Sequence, residues 1–212
     1  MQTGEYAMRK GEKRKQELLT IAYRMFITRG YENTSVDDII EEAGIAKGTY
    51  YYYFESKEQM LEEVIGMMIE SERMTAEQVL AAPIPIPQKI ASVIASFSPS
   101  PEEQPIEGAL MRAENVLMHI KIKEKLIETV VPILTQIVKD GIKEGIFSCN
   151  NIPERVRLML VVSNEIFDEG NFTKKDIDVF IDMTEKLLGA EPGTMGFIRG
   201  LIRNQGKNEN KK

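Results

Sequence analysis

Four consecutive tyrosines, Tyr50 to Tyr53, directly follow a lysine, a glycine and a threonine in the first quarter of the chain. An exposed tyrosine can stack its ring on a sugar or base and hydrogen-bond a phosphate through its hydroxyl group. Lys47 would supply positive charge beside these rings, and Gly48 would let the backbone approach a duplex closely. The chemistry that this combination favours is recognition of nucleic acid.

Helical spacing decides which of the four rings are available for such contacts. Successive helical residues point about 100° apart, so the four rings cannot all face a protein core. Tyr50 and Phe54 are four residues apart and share the inward face, which leaves Tyr51, Tyr52 and Tyr53 wholly or partly outward. The alternative is that these rings only cover a neighbouring helix. Their occurrence next to a lysine and a turn favours the nucleic-acid interpretation.

A helix and a turn precede the tyrosine run and would position it. Four apolar residues recur at helical spacing and predict one buried stripe: Val36, Ile39, Ile40 and Ala43. Ser35 or Thr34 can cap the start of this helix, and Gly44 can end it in the left-handed conformation. A second helix from about Ala46 to Tyr52 would complete a helix-turn-helix.

Two longer amphipathic helices are predicted on either side. The first runs from about Arg9 to Arg29 and ends at Gly30, with Leu18 and Phe26 on its inner face. The second runs from about Lys57 to Leu80 after a capping box at Ser56.

Residues Lys13 to Leu61 resemble the DNA-binding domain of the TetR/AcrR family of bacterial transcriptional regulators. The matching segments are AYRMFITRGYENTSV, DDIIEEAGIAKGTYYYYF and ESKEQML, which follow one another without a gap. The resemblance implies an all-α homodimer that binds a pseudo-palindromic site in double-stranded DNA and responds to a small ligand. It also implies a set of DNA-contacting residues: Ser35, Lys47, Gly48, Thr49, Tyr51, Tyr52, Tyr53 and Lys57.

Three residues depart from the commonest pattern of that family. Ala46 stands where a serine or threonine cap is usual, Tyr50 where leucine or isoleucine is usual, and Tyr53 where histidine is frequent. The missing cap removes one possible phosphate hydrogen bond, and Tyr53 changes the chemistry at a contact position.

The net charge of −6 over 212 residues does not exclude DNA binding. Residues 1 to 54 contain eight lysines or arginines and eight acidic residues, so this segment has no net charge and the rest of the chain carries the excess negative charge. Phosphate binding needs a local positive surface, which a basic cluster from Arg9 to Lys15 can supply.

Composition excludes several other classes. The chain has 42% apolar residues, no apolar run long enough for a membrane span and a polar amino terminus, which predicts a cytoplasmic protein without membrane contact. One cysteine excludes internal disulfides, and no phosphate-binding loop, metal-ligand cluster or nucleophile–base pair is present. We therefore expect no enzyme activity, no metal and no cofactor.

The second half predicts further helices separated by prolines. Breaks are expected at Ala82 to Gln88 and at Ser98 to Pro105, and Pro132 should kink or end a helix from about Ile122 to Glu144. The division expected is a DNA-binding domain at 1–56 and a helical ligand-binding and dimerisation domain at 57–212.

The last long helices, Pro153 to Asp168 and Thr173 to Leu188, are apolar on more than one face. Such helices need a second partner, which a copy of the same chain would provide in a four-helix interface. The predicted dimer residues are Met159, Val162, Ile166, Phe167, Ile177, Phe180, Ile181, Thr184 and Leu188. The alternative is a monomer in which these helices are internal.

A ligand pocket is predicted from adaptable methionines and from polar residues in apolar helices. The candidates are Met67, Met68, Met111, Glu114, Met118, His119 and Met159. Each of them is also compatible with an ordinary core or surface role.

The function expected is a transcriptional repressor released from its operator by a ligand. An activator or ligand-independent regulator is the first rival. A helical small-molecule-binding or interaction protein with a vestigial DNA-binding head is the rival of another class.

Overall fold

A computed structural model describes residues 10–97, 108–110, 112–167 and 172–206; for Lys10 and residues 203–206 it describes the backbone alone. Within these ranges all regular structure is helical and there is no strand, which confirms the all-α class. The α-helices are α1 (Lys10–Arg29), α2 (Val36–Ala43), α3 (Lys47–Tyr53), α4 (Lys57–Ala81), α5 (Ile86–Ser96), α6 (Val116–Lys143), α7 (Ile152–Phe167), α8 (Lys174–Leu188) and α9 (Ile198–Gly206). A 3-10 turn at Ala113–Asn115 precedes α6.

The chain divides into two compact units. Unit 1 comprises residues 1–70 and 99–125, and unit 2 comprises residues 71–98 and 126–212. The boundary therefore does not fall at residue 56, because the first half of α4 contributes the buried side chains of Met60, Leu61, Val64 and Ile65 to unit 1. Residues 109–125 also belong to unit 1, which the sequence pattern did not indicate.

Unit 1 contains the predicted helix-turn-helix. The inner face of α1 is buried as predicted, through Leu18, Ala22, Met25 and Phe26. Ile39 of α2, Tyr50 of α3 and Phe54 after it are also buried. Because α2 and α3 have only eight and seven residues, this packing and not intrinsic propensity stabilises them.

In unit 2, α5 begins earlier than predicted, and of the two alternatives predicted for Pro132 the end of a helix does not occur. Helix α5 begins at Ile86 and not near Lys89, with Pro87 in its first turn, where a missing N–H removes no helical hydrogen bond. Pro132 lies inside α6, which continues through it to Lys143. An interior proline costs about 3 kcal/mol, and burial of Val130, Ile133 and Leu134 on either side of it offsets that cost.

The carboxyl-terminal helices of unit 2 are fixed by local caps. Thr173 and Asp176 form a capping box at the start of α8, as the threonine predicted. The buried Glu185 carboxylate accepts hydrogen bonds of 2.9 Å from the backbone N–H groups of Gly193 and Met195. These bonds attach the chain before α9 to α8.

Candidate nucleic-acid interface

The start of α2 is fixed by a capping box. The Asp38 N–H donates to the Ser35 hydroxyl oxygen (3.1 Å), and the Ser35 N–H donates to the Asp38 carboxylate (2.7 Å). Hydrogen bonds from Ser35, including one from its hydroxyl at 2.5 Å, lower the pKa of the Asp38 carboxyl group. The Ser35 hydroxyl proton is thus already donated within the cap, and its predicted phosphate contact remains a prediction.

The turn between α2 and α3 depends on Gly44. Its φ of 60° and ψ of 43° lie in the left-handed region, and its N–H donates to the Glu41 carbonyl at 3.1 Å. No atom lies within 4 Å of the position that a Cβ would occupy. Backbone conformation alone, and not crowding, therefore requires glycine here.

The tyrosine run has one buried ring and two clearly exposed ones, as the helical spacing predicts. Tyr50 is fully buried; burial raises the pKa of its hydroxyl to about 12, and that hydroxyl donates to the Ser56 carbonyl at 3.3 Å. Tyr51 is 50% exposed and Tyr52 is 80% exposed. Tyr53 is half-buried, and its ring packs edge-on against that of Tyr52 with the centroids 4.9 Å apart. The exposed rings form an aromatic surface beside the start of α3.

Two further predicted contact residues lie on the same exposed surface. Lys47 is exposed, and its Nζ lies 3.0 Å from an Asp37 carboxylate oxygen, a hydrogen bond that raises the pKa of the lysine. Gly48 is exposed and has no atom within 4 Å of its Cβ position. Thr49 is half-buried, and its N–H donates to the Ala46 carbonyl (2.9 Å). Ala46 is the N-cap of α3 and provides no side-chain hydrogen bond, as expected from its departure from the family pattern.

Lys57 is used within the chain. Its Nζ donates to the backbone carbonyls of Tyr31 (2.9 Å) and Thr34 (3.0 Å) and lies 4.0 Å from the centroid of the Tyr31 ring. Two of its three N–H donors therefore stabilise the turn between α1 and α2. Its predicted phosphate contact would have to use the third and remains a prediction.

The basic residues near the start of α1 are partly neutralised. Arg14 bonds Glu17 (2.7 Å) and the Ala43 carbonyl (3.2 Å), and Lys15 forms an ion pair with Glu63 (2.5 Å). Lys13 is exposed. Arg9 lies outside the described residues, as does the side chain of Lys10.

A segment far along the chain completes the end of α1, and the sequence analysis missed it. The fully buried Asn115 accepts a hydrogen bond from the Tyr31 N–H (2.7 Å) and donates to the carbonyls of Phe26 (3.2 Å) and Ala109 (2.9 Å). The Glu114 carbonyl accepts from the Glu32 N–H at 3.0 Å.

Arg112 adds a guanidinium bond to the Ile27 carbonyl. We call Arg112, Glu114 and Asn115 the α1 cap. Gly30, with φ of 94°, lies against it: a Cβ at Gly30 would be 2.5 Å from the Glu114 Cβ. Gly30 signals the end of α1 in the sequence, but no local pattern indicates a partner more than eighty residues away.

The predicted pocket residues do not form one group. Met67, Met68, Glu114, Met118 and His119 belong to unit 1, whereas Met159 belongs to unit 2. Met118 is fully buried, and the Gln16 amide donates to the Met67 sulfur at 2.8 Å. Met111 lies outside the described residues. The pocket therefore remains a prediction.

Most of the predicted dimer residues are in the core of unit 2. Six of the nine are buried there: Met159, Ile177, Phe180, Ile181, Thr184 and Leu188. Val162, Ile166 and Phe167 are half-buried against the same core. The exposed apolar side chains of α7 and α8 are instead Leu158, Val161 and Val179. Periodicity located an apolar stripe correctly but not which of its residues remain exposed.

The described residues contain no group of three or more histidine, cysteine or acidic side chains able to hold a metal ion. No helix in the described ranges is long and apolar enough to cross a membrane.

Comparison with known proteins identifies relatives of this interface. Residues 18–64 match the family described as bacterial regulatory proteins, tetR family. Over 85 residues the chain is 40% identical to the HTH-type transcriptional repressor KstR2 of Mycolicibacterium smegmatis, a stretch that covers 40% of this chain and 42% of that protein. The chain thus spans less than half the length of this curated relative.

Solved structures match the fold over most of the chain. RolR, solved in complex with resorcinol, matches with a TM-score of 0.61 at 20% identity, over 91% of this chain and 94% of that one. The fatty acid degradation regulator FadR from Bacillus halodurans matches with a TM-score of 0.56 at 18% identity, over 92% and 95% of the two chains. At these identities the likeness concerns the fold alone.

Proposed function

We propose that this chain, which belongs to the tetR family of bacterial regulatory proteins, is a sequence-specific DNA-binding regulator of transcription that acts in the cytoplasm. The observation that carries the proposal is the arrangement of α3. Tyr50 and Phe54 anchor one side of this helix in unit 1, while Lys47, Gly48 and Tyr52 lie on the exposed side. In a helix-turn-helix, the second helix enters the major groove and its first residues contact base edges.

The aromatic surface is suited to binding duplex DNA because the ring and the hydroxyl of a tyrosine can make different contacts. Tyr51 and Tyr52 can place their rings against sugar or base and donate their hydroxyls to phosphates. Gly48 lets the helix approach closely, because no side chain projects there. We infer that DNA contact and not catalysis is the role of this surface.

We infer that the active form is a homodimer. Two copies of α3 related by a twofold axis would read half-sites about 34–36 Å apart in a pseudo-palindromic operator. Leu158, Val161 and Val179 are the exposed apolar residues of α7 and α8 and would form part of the dimer interface. The buried residues predicted from periodicity would support this surface from beneath.

We further infer that the chain represses transcription and is released by a small ligand in unit 2. KstR2 is named as a repressor and RolR was solved with resorcinol. Within the described part of unit 2, the hydroxyls of Thr135 and Thr184 and one carboxylate oxygen of Glu72 are buried without a hydrogen-bond partner. Buried polar atoms are rarely left unsatisfied. A polar ligand could satisfy one or more of them.

The test of DNA binding is selection of bound sequences from random duplex DNA by the purified protein, at low and at moderate salt. Nonspecific phosphate binding falls steeply as salt rises. A twofold-symmetric consensus that survives moderate salt is the expected result. Binding without a consensus, or no binding, would contradict the proposal.

Two substitutions test the surface itself. Lys47→Ala and Tyr51→Ala should leave the thermal unfolding midpoint nearly unchanged and weaken operator binding, because both side chains are exposed. Measuring unfolding and DNA affinity on the same samples separates the outcomes. If either variant unfolds, its side chain has a core role and not a DNA-binding one.

A further inference from the structure

Lys47 and Asp37 form a donor–acceptor pair on the exposed side of the helix-turn-helix. Lys47 is the first residue of α3, Asp37 lies in the first turn of α2, and Nζ and Oδ1 are 3.0 Å apart. The two side chains are 62% and 75% exposed. Both polar groups can therefore meet a ligand that arrives at the start of α3.

Asp37 is not needed for the local fold in the way that its neighbours are. The capping box of α2 uses Asp38, and Glu42 forms ion pairs with Arg24 and Arg29. The ion pair described for Asp37 is the one with Lys47. An exposed pair of this kind contributes little to stability. Its position beside Gly48 is better explained by an external partner.

The major groove edge of a base pair has a matching pair of groups. In a G·C pair the guanine O6 acceptor and the cytosine N4 donor bond each other, so they are separated by one hydrogen-bond length of about 2.9 Å. Each has further capacity directed into the groove. A lysine donor and a carboxylate acceptor 3.0 Å apart can face this acceptor and donor side by side.

We propose that Lys47 and Asp37 act as one reading unit for a G·C base pair in each operator half-site. Lys47 donates to guanine O6 and N7, and Asp37 accepts from the cytosine N4 amino group. This inference rests on the proposed function, because it requires α3 to lie in the major groove.

The order of groups across the base pair distinguishes G·C from A·T. With lysine on the purine side, G·C offers two acceptors to Lys47 and then a donor to Asp37. In an A·T pair read in the same orientation, Lys47 would meet the adenine N6 amino group, which is a donor, and the Asp37 carboxylate would meet thymine O4, which is an acceptor. The thymine methyl would lie on the Asp37 side. The unit therefore favours G·C, with guanine nearer to Lys47.

The experiment is sequence selection from random duplex DNA with the full chain and with Asp37→Asn. Asparagine keeps the shape but offers an amide, which pairs well with adenine. The matched control is Glu41→Gln, which removes the same charge one turn further along α2, where the side chain is also exposed. Thermal unfolding of all three proteins establishes that they are folded.

The expected result is a symmetric consensus with one strongly preferred G·C pair per half-site for the full chain and for Glu41→Gln. Asp37→Asn should reduce the preference at that one position by roughly 5- to 150-fold, the discrimination that a good base contact provides. Other positions of the consensus should be unchanged.

Three results would overturn the inference while leaving the proposed function intact. The first is a consensus that is the same for Asp37→Asn and the full chain. The second is an A·T preference at every position that Asp37→Asn alters. The third is an equal rise in affinity at all positions for both variants, which would show that the carboxylate acts only through charge. Failure of the full chain to select any consensus would instead defeat the proposed function, and this inference with it.

Discussion

At the start of α3, the ammonium of Lys47 bonds one exposed carboxylate, whereas at the end of α1 the ammonium of Lys57 donates to two backbone carbonyls and lies over the Tyr31 ring. Both lysines begin a helix, and both are predicted from the sequence to contact DNA. Their surroundings separate them. A cation whose donors are used by backbone groups fixes the fold, and one beside a single exposed partner can exchange that partner for a ligand.

The glycines of the two regions differ in the same way. The Cβ position of Gly48 has no atom within 4 Å, whereas that of Gly30 lies 2.5 Å from the Glu114 Cβ. The missing side chain at Gly48 leaves open space at the surface, whereas at Gly30 it makes room for Glu114. The contrast is between the exposed aromatic surface at α3 and the crowded α1 cap.

Asn115→Ala should have the largest effect on stability. It removes the acceptor of the Tyr31 N–H and the donor to the Phe26 carbonyl. The Phe26 carbonyl keeps its bond from the Gly30 N–H, whereas a buried N–H left without its acceptor costs about 1–3 kcal/mol. We expect the free energy of unfolding to fall by about 3 kcal/mol in urea titrations. Val116→Ala, at the exposed neighbour, is the control. An equal loss in both variants would show that the α1 cap is not the cause.

Gly30→Ala should follow, with Gly44→Ala as its comparison. Both glycines have positive φ, which costs a non-glycine residue about 1–2 kcal/mol. Only Gly30 also faces a crowding side chain, so its variant should lose about 2 kcal/mol or more and Gly44→Ala about 1 kcal/mol. If thermal unfolding ranks them in the reverse order, the contact with Glu114 does not constrain the turn.

Lys57→Met and Lys47→Met should separate fold from binding. Lys57→Met loses two hydrogen bonds from a charged group to the carbonyls of Tyr31 and Thr34, and we expect about 1.5 kcal/mol of destabilisation. Lys47→Met should keep the stability and relax the preference for the G·C pair in each half-site, the effect expected when a base contact is lost. An unchanged preference at that pair would contradict a base contact of Lys47.

The capping box of α2 predicts a smaller, pH-dependent effect. Because the pKa of Asp38 is lowered in the folded chain, its contribution to stability is present above the unfolded pKa, about 3.9, and is lost as the pH falls through the folded value. Asp38→Asn should therefore destabilise the chain at pH 7, and its effect should shrink as the pH falls through and below the unfolded pKa of about 3.9. Urea unfolding at pH 7 and at a series of acidic pH values tests this. A difference between the two chains that does not change with pH would contradict the prediction.

Gly48→Ala should have the smallest effect on folding. Alanine favours a helix by up to about 1 kcal/mol relative to glycine, and the open space allows its methyl group. Thermal stability should be unchanged or slightly raised, while operator affinity should fall because the methyl group keeps α3 away from the duplex. Unaltered affinity would show that the backbone at this position does not approach DNA.

Sequence patterns were sufficient to predict which residues form the aromatic surface, because its position depends on local features. A capping serine, a left-handed glycine and the 100° helical step locate α2, the turn at Gly44 and the inward side of Tyr50. The same step placed Tyr51 and Tyr52 outward, and the structure places them there. These features depend on residues within four positions of one another.

Features that depend on distant partners could not be predicted in this way. Nothing in the sequence near Lys57 indicates that its ammonium bonds carbonyls 23 and 26 residues earlier. Pro132 predicted a kink or the end of a helix, and buried neighbours on both sides of it favour a helix that continues. Thr184 lies on an apolar stripe, and periodicity alone cannot say whether that stripe meets the chain's own core or a second copy.

The α1 cap also has a consequence for synthesis of the chain. The turn after Arg29 emerges from the ribosome long before Asn115, so the carbonyl of Phe26 and the N–H of Tyr31 have no protein partner from this segment in the meantime. After residue 70, translation at about 5–20 residues per second needs roughly 2 to 9 s to add the next forty-five residues. During that interval the end of α1 lacks these hydrogen bonds, and it gains them only when a part of the chain beyond α5 returns to it.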